Sequence, residues 1–344
     1  MPDRPTEATA DLKLLLVKTS SMGDVVHTLP VVSDLLRHCP GAQIDWLVEA
    51  PFAAIAGLHP GVRRVLPLVW RKWRHALFEG KTWGAMAALR ARLREEDYDF
   101  ALDLQGLVKS ALWGLQAGAP LLGFDRASAR EPLAALFYSA TMPVPKGLHA
   151  VERSRQLASM HLGYPMPTDL PRFELRPPAL AWPAPERYAV LIPNASRPEK
   201  LWPEARWGAV GRKMRGAGLT PVVLWGTEAE QTMAERIAAD CNGTVPPFLK
   251  VGEMAAVLAG AVLVVGLDTG FSHLGAALGR PTIGIYCDHD PGLAGITGPD
   301  PRRVASIGGK GEVPPLADVV ALIDAQLGAL KDRAAARKAQ PPPV

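Results

Sequence analysis

Four short stretches of this sequence combine hydroxyls with acids, and lysines or glycines stand among them. Such sets can move a proton at a hydroxyl or hold a phosphate. The first reads Lys18-Thr19-Ser20-Ser21-Met22-Gly23-Asp24. Its small residues let the chain turn tightly and let a ligand come close to the backbone. Asp24 has two readings. It is either an acid at the head of a helix, steadied by exposed amides and the dipole, or a base that takes a proton from an attacking hydroxyl. His27, one turn further on, reads by itself as a core or hydrogen-bonded histidine. The second stretch is Leu267-Asp268-Thr269-Gly270-Phe271-Ser272-His273, a short glycine-containing turn of the kind whose free amides cradle phosphate; Asp268 and Thr269 equally suit helix caps.

The third stretch, Asn194-Ala195-Ser196-Arg197-Pro198-Glu199-Lys200-Leu201-Trp202-Pro203, offers Lys200 to a diphosphate and Ser196 as a hydrogen-bond donor to it. The other reading leaves Lys200 solvated ahead of a helix that Pro203 starts. In the fourth, Gly226-Thr227-Glu228-Ala229-Glu230, an acid could bind ribose hydroxyls as acids do in dinucleotide folds. First-turn helix acids would look the same.

These stretches acquire a common purpose from the elements around them. Leu12–Val17 is a continuous apolar run and reads as a buried parallel strand; a helix follows from about Asp24 to His38. Further strands are expected at Ile44–Val48, Val65–Val69 and Phe100–Leu104, with helices at Trp83–Glu96 and Leu107–Gln116. From Gly163 to Arg187 seven prolines break the pattern. The alternation restarts with strands at Tyr188–Ile192, Pro221–Trp225, Val262–Gly266 and Thr282–Tyr286. Helices are expected at Pro203–Arg215, Glu228–Ala239, Phe271–Leu278 and Leu316–Leu330. The pattern predicts an α/β protein of two doubly wound halves. The halves are residues 12–165 and 188–330, joined by a proline-rich linker over 166–187 and followed by a frayed tail over 331–344. A cleft between the halves is expected, with the stretches above on loops at the carboxyl ends of strands.

Composition excludes several classes. The 344 residues carry a net charge of +4, and 48% are hydrophobic, an ordinary globular make-up. No apolar run is long enough for a membrane helix, and Met1 to Asp11 lacks the apolar core of a signal peptide. Cys39, Cys241 and Cys287 are far apart and odd in number, which suits a reducing compartment and gives no metal spacing. No acid falls between Glu49 and Glu79, while Arg63, Arg64, Arg71, Lys72 and Arg74 do. That stretch is either a solvated face or a surface for phosphates. A nucleic-acid reader would need stacking runs that are missing, although Trp70 and Trp73 interleave the charges. One Asp-Thr-Gly in a βα setting does not make an aspartic protease, which needs two carboxylates.

The segment Leu16–Pro30, containing Lys18-Thr19-Ser20-Ser21-Met22-Gly23-Asp24, resembles the opening signature of the heptosyltransferase I branch of glycosyltransferase family 9. Asp103–Ser110, Ala129–Leu133, His149–Arg153 and Asp268–Leu274 are similar to the same family, in the same order. The resemblance covers nearly all of Leu12 to Leu327. It implies a glycosyltransferase-B fold of two Rossmann-like domains and an inverting, metal-independent transfer without a cofactor. The implied substrates are ADP-heptose as donor and Kdo2-lipid A as acceptor, in lipopolysaccharide inner-core synthesis. It further implies Asp24 as general base and Ser196, Lys200, Glu230, Asp268, Thr269, Gly270 and His273 around the donor. Lys18, Ser20, Ser21, Gly23, Arg71, Lys72, Arg74 and Arg130 fall on the acceptor side. The expected place of action is the cytoplasmic face of the inner membrane, in peripheral contact, with no nucleic acid involved. Pro193-Asn194-Ala195-Ser196 and Cys287-Asp288-His289 depart from the family pattern. A later-acting heptosyltransferase and a sugar-nucleotide epimerase of similar fold are the rival readings.

Overall fold

A computed structural model describes residues 12–339, in two compact units that divide between Arg176 and Pro177. In unit 1 the strands are β1 (Lys13–Val17), β2 (Gln43–Glu49), β3 (Val62–Leu68), β4 (Phe100–Asp103), β5 (Leu121–Phe124) and β6 (Ala140–Met142). The helices are α1 (Met22–His38), α2 (Ala53–Ala56), α3 (Trp70–Trp73), α4 (Gly80–Arg94), α5 (Val108–Gly114) and α6 (Ala150–Leu162). All pairings are parallel, in the order β3-β2-β1-β4-β5-β6. Leu14 to Val17 are fully buried, because a central parallel strand is covered on both faces, which is why it reads as one unbroken apolar run.

Unit 2 has strands β7 (Tyr188–Ile192), β8 (Thr220–Val223), β9 (Leu263–Leu267), β10 (Thr282–Tyr286) and β11 (Val304–Gly308). Its helices are α7 (Glu204–Gly216), α8 (Glu228–Cys241), α9 (Val251–Gly260), α10 (Gly270–Ala277), α11 (Pro291–Ala294) and α12 (Leu316–Ala339). Its sheet is also parallel, ordered β11-β10-β9-β7-β8. The winding reverses between β1 and β4 in unit 1 and between β7 and β9 in unit 2. In open α/β sheets ligands bind beyond such reversals.

The proline-rich stretch is not free chain along its first half. Asp169 pairs with Arg37 at 2.8 Å and with Arg155 at 3.0 Å, Phe173 is buried, and the Arg176 amide donates to the Leu58 carbonyl at 2.8 Å. The three polar contacts tie it to unit 1. At the other end α12 continues to Ala339, through most of the stretch expected to fray; residues 340–344 lie outside the described residues. Beneath the linker segment, Arg155 on α6 holds Asp34 on α1 through two hydrogen bonds, at 2.7 and 3.0 Å, and both are buried. Two matched hydrogen bonds offset the cost of burying the two charges.

The basic stretch after Glu49 is divided by the fold. Arg63 and Arg64, on β3, both reach the fully buried Asp45 of β2, at 2.8 and 2.9 Å. Both also pair with Glu96, and the Tyr98 hydroxyl donates to Asp45 at 2.6 Å. They hold the edge of the sheet and are not offered to a ligand. Asp45→Ala would leave Tyr98 buried without its acceptor, while the arginines, a third exposed, recover water. We expect a loss of about 1–3 kcal/mol, read by urea denaturation; an unchanged midpoint would show that the cluster contributes nothing.

Candidate active site

In unit 1 the loop from β1 to α1 is held from both neighbouring strands. The Lys18 amide donates to the Leu47 carbonyl at 3.2 Å, and the Glu49 amide to the Thr19 carbonyl at 3.0 Å. From the other side, Oε1 of the buried Gln105 accepts the Thr19 and Ser20 amides, both at 3.1 Å. Gln105 is itself set by Asp103, whose Oδ1 accepts the Gln105 amide at 2.8 Å. Asp103 also accepts from Ser110 Oγ at 2.7 Å and Tyr138 OH at 2.8 Å. Burial pushes the Asp103 carboxyl up despite these hydrogen bonds.

The loop delivers Asp24 to the first turn of α1, with Ser20 and Ser21 before it and Gly23 between. Asp24 Oδ2 accepts the Ser21 amide at 2.9 Å and Ser21 Oγ at 3.1 Å, so the capping reading holds. Two cations face the same carboxylate: Lys18 Nζ at 3.9 Å and Arg130 Nη1 at 3.4 Å. Burial alone would raise the Asp24 carboxyl; Lys18, Arg130 and the Ser21 hydrogen bonds outweigh it, and the net direction is down. Burial also lowers the Lys18 ammonium, which donates to the Leu104 carbonyl at 2.7 Å. Asp24 is therefore an ionised carboxylate, partly open to solvent. Such a group can accept a proton from a hydroxyl placed against it.

Arg130 is brought there by a glycine. Gly106 has φ of +71°, and a Cβ on it would lie 3.2 Å from the Arg130 backbone nitrogen; the Glu131 amide donates to the Gly106 carbonyl at 2.9 Å. Only a residue without a side chain admits this approach. Behind Arg130 stands Arg153, half-buried, its guanidinium 5.0 Å above the Phe124 ring. Burial and the neighbouring Arg130 charge lower its pKa. His27 packs edge-on to His149 at 5.3 Å, the core role expected of it. Arg71 and Lys72 on α3 and Arg74 just after it are exposed, Arg71 over the Phe52 ring at 5.3 Å, and no ion pair among the described residues involves them.

In unit 2 the loops after β7 and β9 flank the reversal point. Lys200, just before α7, forms an ion pair with Asp268 Oδ2, and Asp268 Oδ1 lies 3.3 Å from His273 Nε2. Burial opposes ionisation of Asp268, but His273 and Lys200 override it and hold the carboxyl well below its ordinary range. An ionised carboxylate repels a diphosphate, whereas the Lys200 ammonium and His273 ring that it holds are groups an anion can meet. Thr269 precedes α10, and its hydroxyl is buried without a hydrogen-bond partner. The amides of Gly270 and its neighbours begin the helix, where no carbonyl within the helix can accept from them.

Two further residues of the expected donor set lie in this unit. Glu230 Oε2 accepts the Gly226 amide at 2.8 Å and the Thr227 amide at 3.0 Å, while Thr227 Oγ1 accepts the Glu230 amide. This is a complete capping box, and it occupies one carboxylate oxygen. Ser196 is exposed. The two loops that depart from the family pattern are tied together, with Arg197 Nη2 2.8 Å from Asp288 Oδ2. Gln105, Gly106, Asp103 and Arg153 were not picked out as site residues. Only the presence of Asp103–Ser110 and His149–Arg153 among the family-like segments signalled them.

The fold and these two clusters define a glycosyltransferase of the B fold. The chain aligns with the E. coli heptosyltransferase WaaC with ADP at a TM-score of 0.84 and 37% identity, covering 92% of this chain and 100% of that one. With the same enzyme carrying ADP-2-deoxy-2-fluoro heptose the TM-score is 0.80 and the identity 36%, over 91% and 99%. The chain belongs to glycosyltransferase family 9 (heptosyltransferase), whose family model matches residues 86–312. It is 44% identical over 290 residues to lipopolysaccharide heptosyltransferase 1 of Pseudomonas aeruginosa, covering 83% of this chain and 82% of that protein.

Two outcomes follow from the geometry. Gln105→Leu removes the acceptor of two amides, at a cost of about 1–3 kcal/mol. Hydrogen exchange at Thr19 and Ser20 should accelerate; unchanged protection would mean the loop is held by the β2 side alone. A base role for Asp24 predicts activity that persists above its lowered pKa and falls as pH drops through it. Arg130→Met removes one lowering cause, so the acid limb of the kcat/KM profile should move to higher pH; no movement would separate Arg130 from Asp24.

Proposed function

We propose that this chain transfers heptose from ADP-heptose to a Kdo residue of Kdo2-lipid A, the step that begins the heptose region of the lipopolysaccharide inner core. The observation that carries the reading is Asp24, an ionised carboxylate between Lys18 and Arg130, on the loop that resembles the family's opening signature. Family membership supplies the reaction class, and the 44% identical relative bears the name of the first-heptose enzyme.

In this mechanism Asp24 takes the proton of a Kdo hydroxyl as that oxygen attacks the anomeric carbon of the heptose. The bond to the ADP oxygen breaks on the opposite face, so the configuration inverts. Lys200, His273 and the amides at the head of α10 meet the charge that grows on the leaving diphosphate; donors fixed in advance stabilise it without reorganising. Glu230 keeps one carboxylate oxygen for a ribose hydroxyl, and Ser196 donates to the diphosphate. Lys18, Arg71, Lys72, Arg74 and Arg130 meet the acidic groups of the acceptor. Among the described residues no helix is long and apolar enough to cross a membrane. We assign the enzyme to the cytoplasmic face of the inner membrane, held there by basic residues that favour anionic headgroups.

The test is ADP release from ADP-heptose with and without Kdo2-lipid A. Release should depend on the acceptor and fall by about 10²–10⁴ in Asp24→Ala, with donor affinity retained. Lys200→Ala should instead weaken ADP binding in calorimetry. Release without acceptor would favour an epimerase-like or hydrolytic reaction, and near wild-type turnover in Asp24→Ala would remove Asp24 as the base.

A further inference from the structure

Unit 1 holds a trough that the chemistry above does not use. It opens between α3, α4 and α5 and encloses about 440 Å3, within the range of small-molecule sites. Trp70, Trp83, Met86, Leu112 and Trp113 form most of its wall. The spacing explains this: Trp83, Met86 and Arg90 share one stripe of α4, and Lys109, Leu112 and Trp113 one stripe of α5. Trp113 is buried and packs against Trp70 at 6.3 Å and Trp73 at 5.5 Å, which gives the trough a rigid floor. At the mouth Trp83 is 58% and Leu112 45% exposed. Apolar surface left open beside a formed pocket marks a binding site for an apolar group.

The charges around it fix what that group is attached to. Arg90 and Lys109 line the trough. The whole of α4 contains no acid and four bases, Lys81, Arg90, Arg92 and Arg94. The helix that supplies Trp70 also presents Arg71 and Lys72 to solvent. Hydrocarbon walls under a cationic rim complement an anionic lipid. The trough also adjoins the loop that carries Asp24: Lys109 Nζ is 3.5 Å from Glu49 Oε1, and the Glu49 amide bonds the Thr19 carbonyl.

We propose that this trough receives one acyl chain of the lipid acceptor while the surrounding cations meet its phosphates; the assignment rests on the acceptor proposed above. The chain anchors the substrate beside the Asp24 loop, and each buried methylene tightens binding about fourfold.

The experiment compares KM for Kdo2-lipid A and for its fully deacylated counterpart, in the same detergent, for wild type, Leu112→Asp and Ala87→Trp. Both substitutions fall on exposed positions of the lining; one places a charge at the mouth, the other fills the space. Wild type should show a KM at least about tenfold lower for the acylated acceptor. The variants should abolish that preference and keep kcat/KM on the deacylated acceptor within about twofold of wild type. Equal KM values in wild type, or variants that weaken both acceptors alike, would overturn the proposal while leaving heptose transfer intact. Turnover with neither acceptor would remove the acceptor itself, and the assignment with it. Vesicles of brominated phospholipid without acceptor separate the sources. Wild type and Leu112→Asp should be quenched alike, whereas stronger quenching of wild-type tryptophans would place bulk bilayer lipid in the trough and overturn the assignment to the acceptor.

Discussion

A carboxylate that must stay charged while largely withdrawn from water needs cations close by, and in unit 1 that requirement organises everything around Asp24. Lys18 stands 3.9 Å from it and Arg130 3.4 Å, one behind in the loop and one from a segment more than a hundred residues away. The balance has a chemical cost as well as a benefit. Two cations keep the carboxylate ionised but also lower its affinity for a proton, because they favour the unprotonated form. An anion bound against either cation would relax that restraint and raise the proton affinity of Asp24.

The rest of unit 1 exists in layers around this balance. Asp103, fully buried, gathers Ser110, Tyr138 and the Gln105 amide; Gln105 fixes the loop amides; the loop fixes Asp24. Unit 2 solves the opposite problem with the same means. There an aspartate ties a lysine and a histidine together at the start of a helix, leaving cations and amides rather than a carboxylate as the groups suited to an anion. In both units the loops concerned follow strands that border the reversal of the sheet, where neighbouring crossovers leave in opposite directions and open a space.

Strands that are apolar throughout were legible, and Tyr188–Ile192 and Thr282–Tyr286 end where their runs end. Among elements without such runs, α4, α7 and α8 were expected close to their places, whereas β5, β6, α6 and α9 were not. The three residues of β6 are mostly exposed, β5 has only four, and α9 is apolar on so many sides that its period is lost. Helix α6 buries Ser154 and Arg155, so its inner face does not look apolar. The basic stretch shows the same limit in charge. Nothing local tells Arg63 and Arg64, committed to Asp45 and Glu96, from Arg71, Lys72 and Arg74. The partners lie elsewhere in the chain, and only the parallel pairing of β2 with β3 brings Asp45 beneath Arg64. Asp24 stands in the long opening signature and Lys200 shortly after a strand, while their partners Arg130 and Asp268 lie 106 and 68 residues away; Gln105 acts through amides 85 and 86 residues away.

That separation has a consequence for how the protein comes into being. Among the described residues neither sheet contains a hairpin, so no strand can pair with the next until an intervening crossover has been made. When β1 and the Asp24 loop emerge from the ribosome, the Leu104 carbonyl and Gln105 that will secure them do not yet exist. The central strand of the first half can pair with β2 about thirty residues on, but its other edge must wait for β4, more than eighty residues on. Non-local pairing of this kind makes for slow folding and for prolonged exposure of sticky surface. The arrangement that braces the Asp24 loop from both sides thus also delays it, because its second brace is made more than eighty residues after β1.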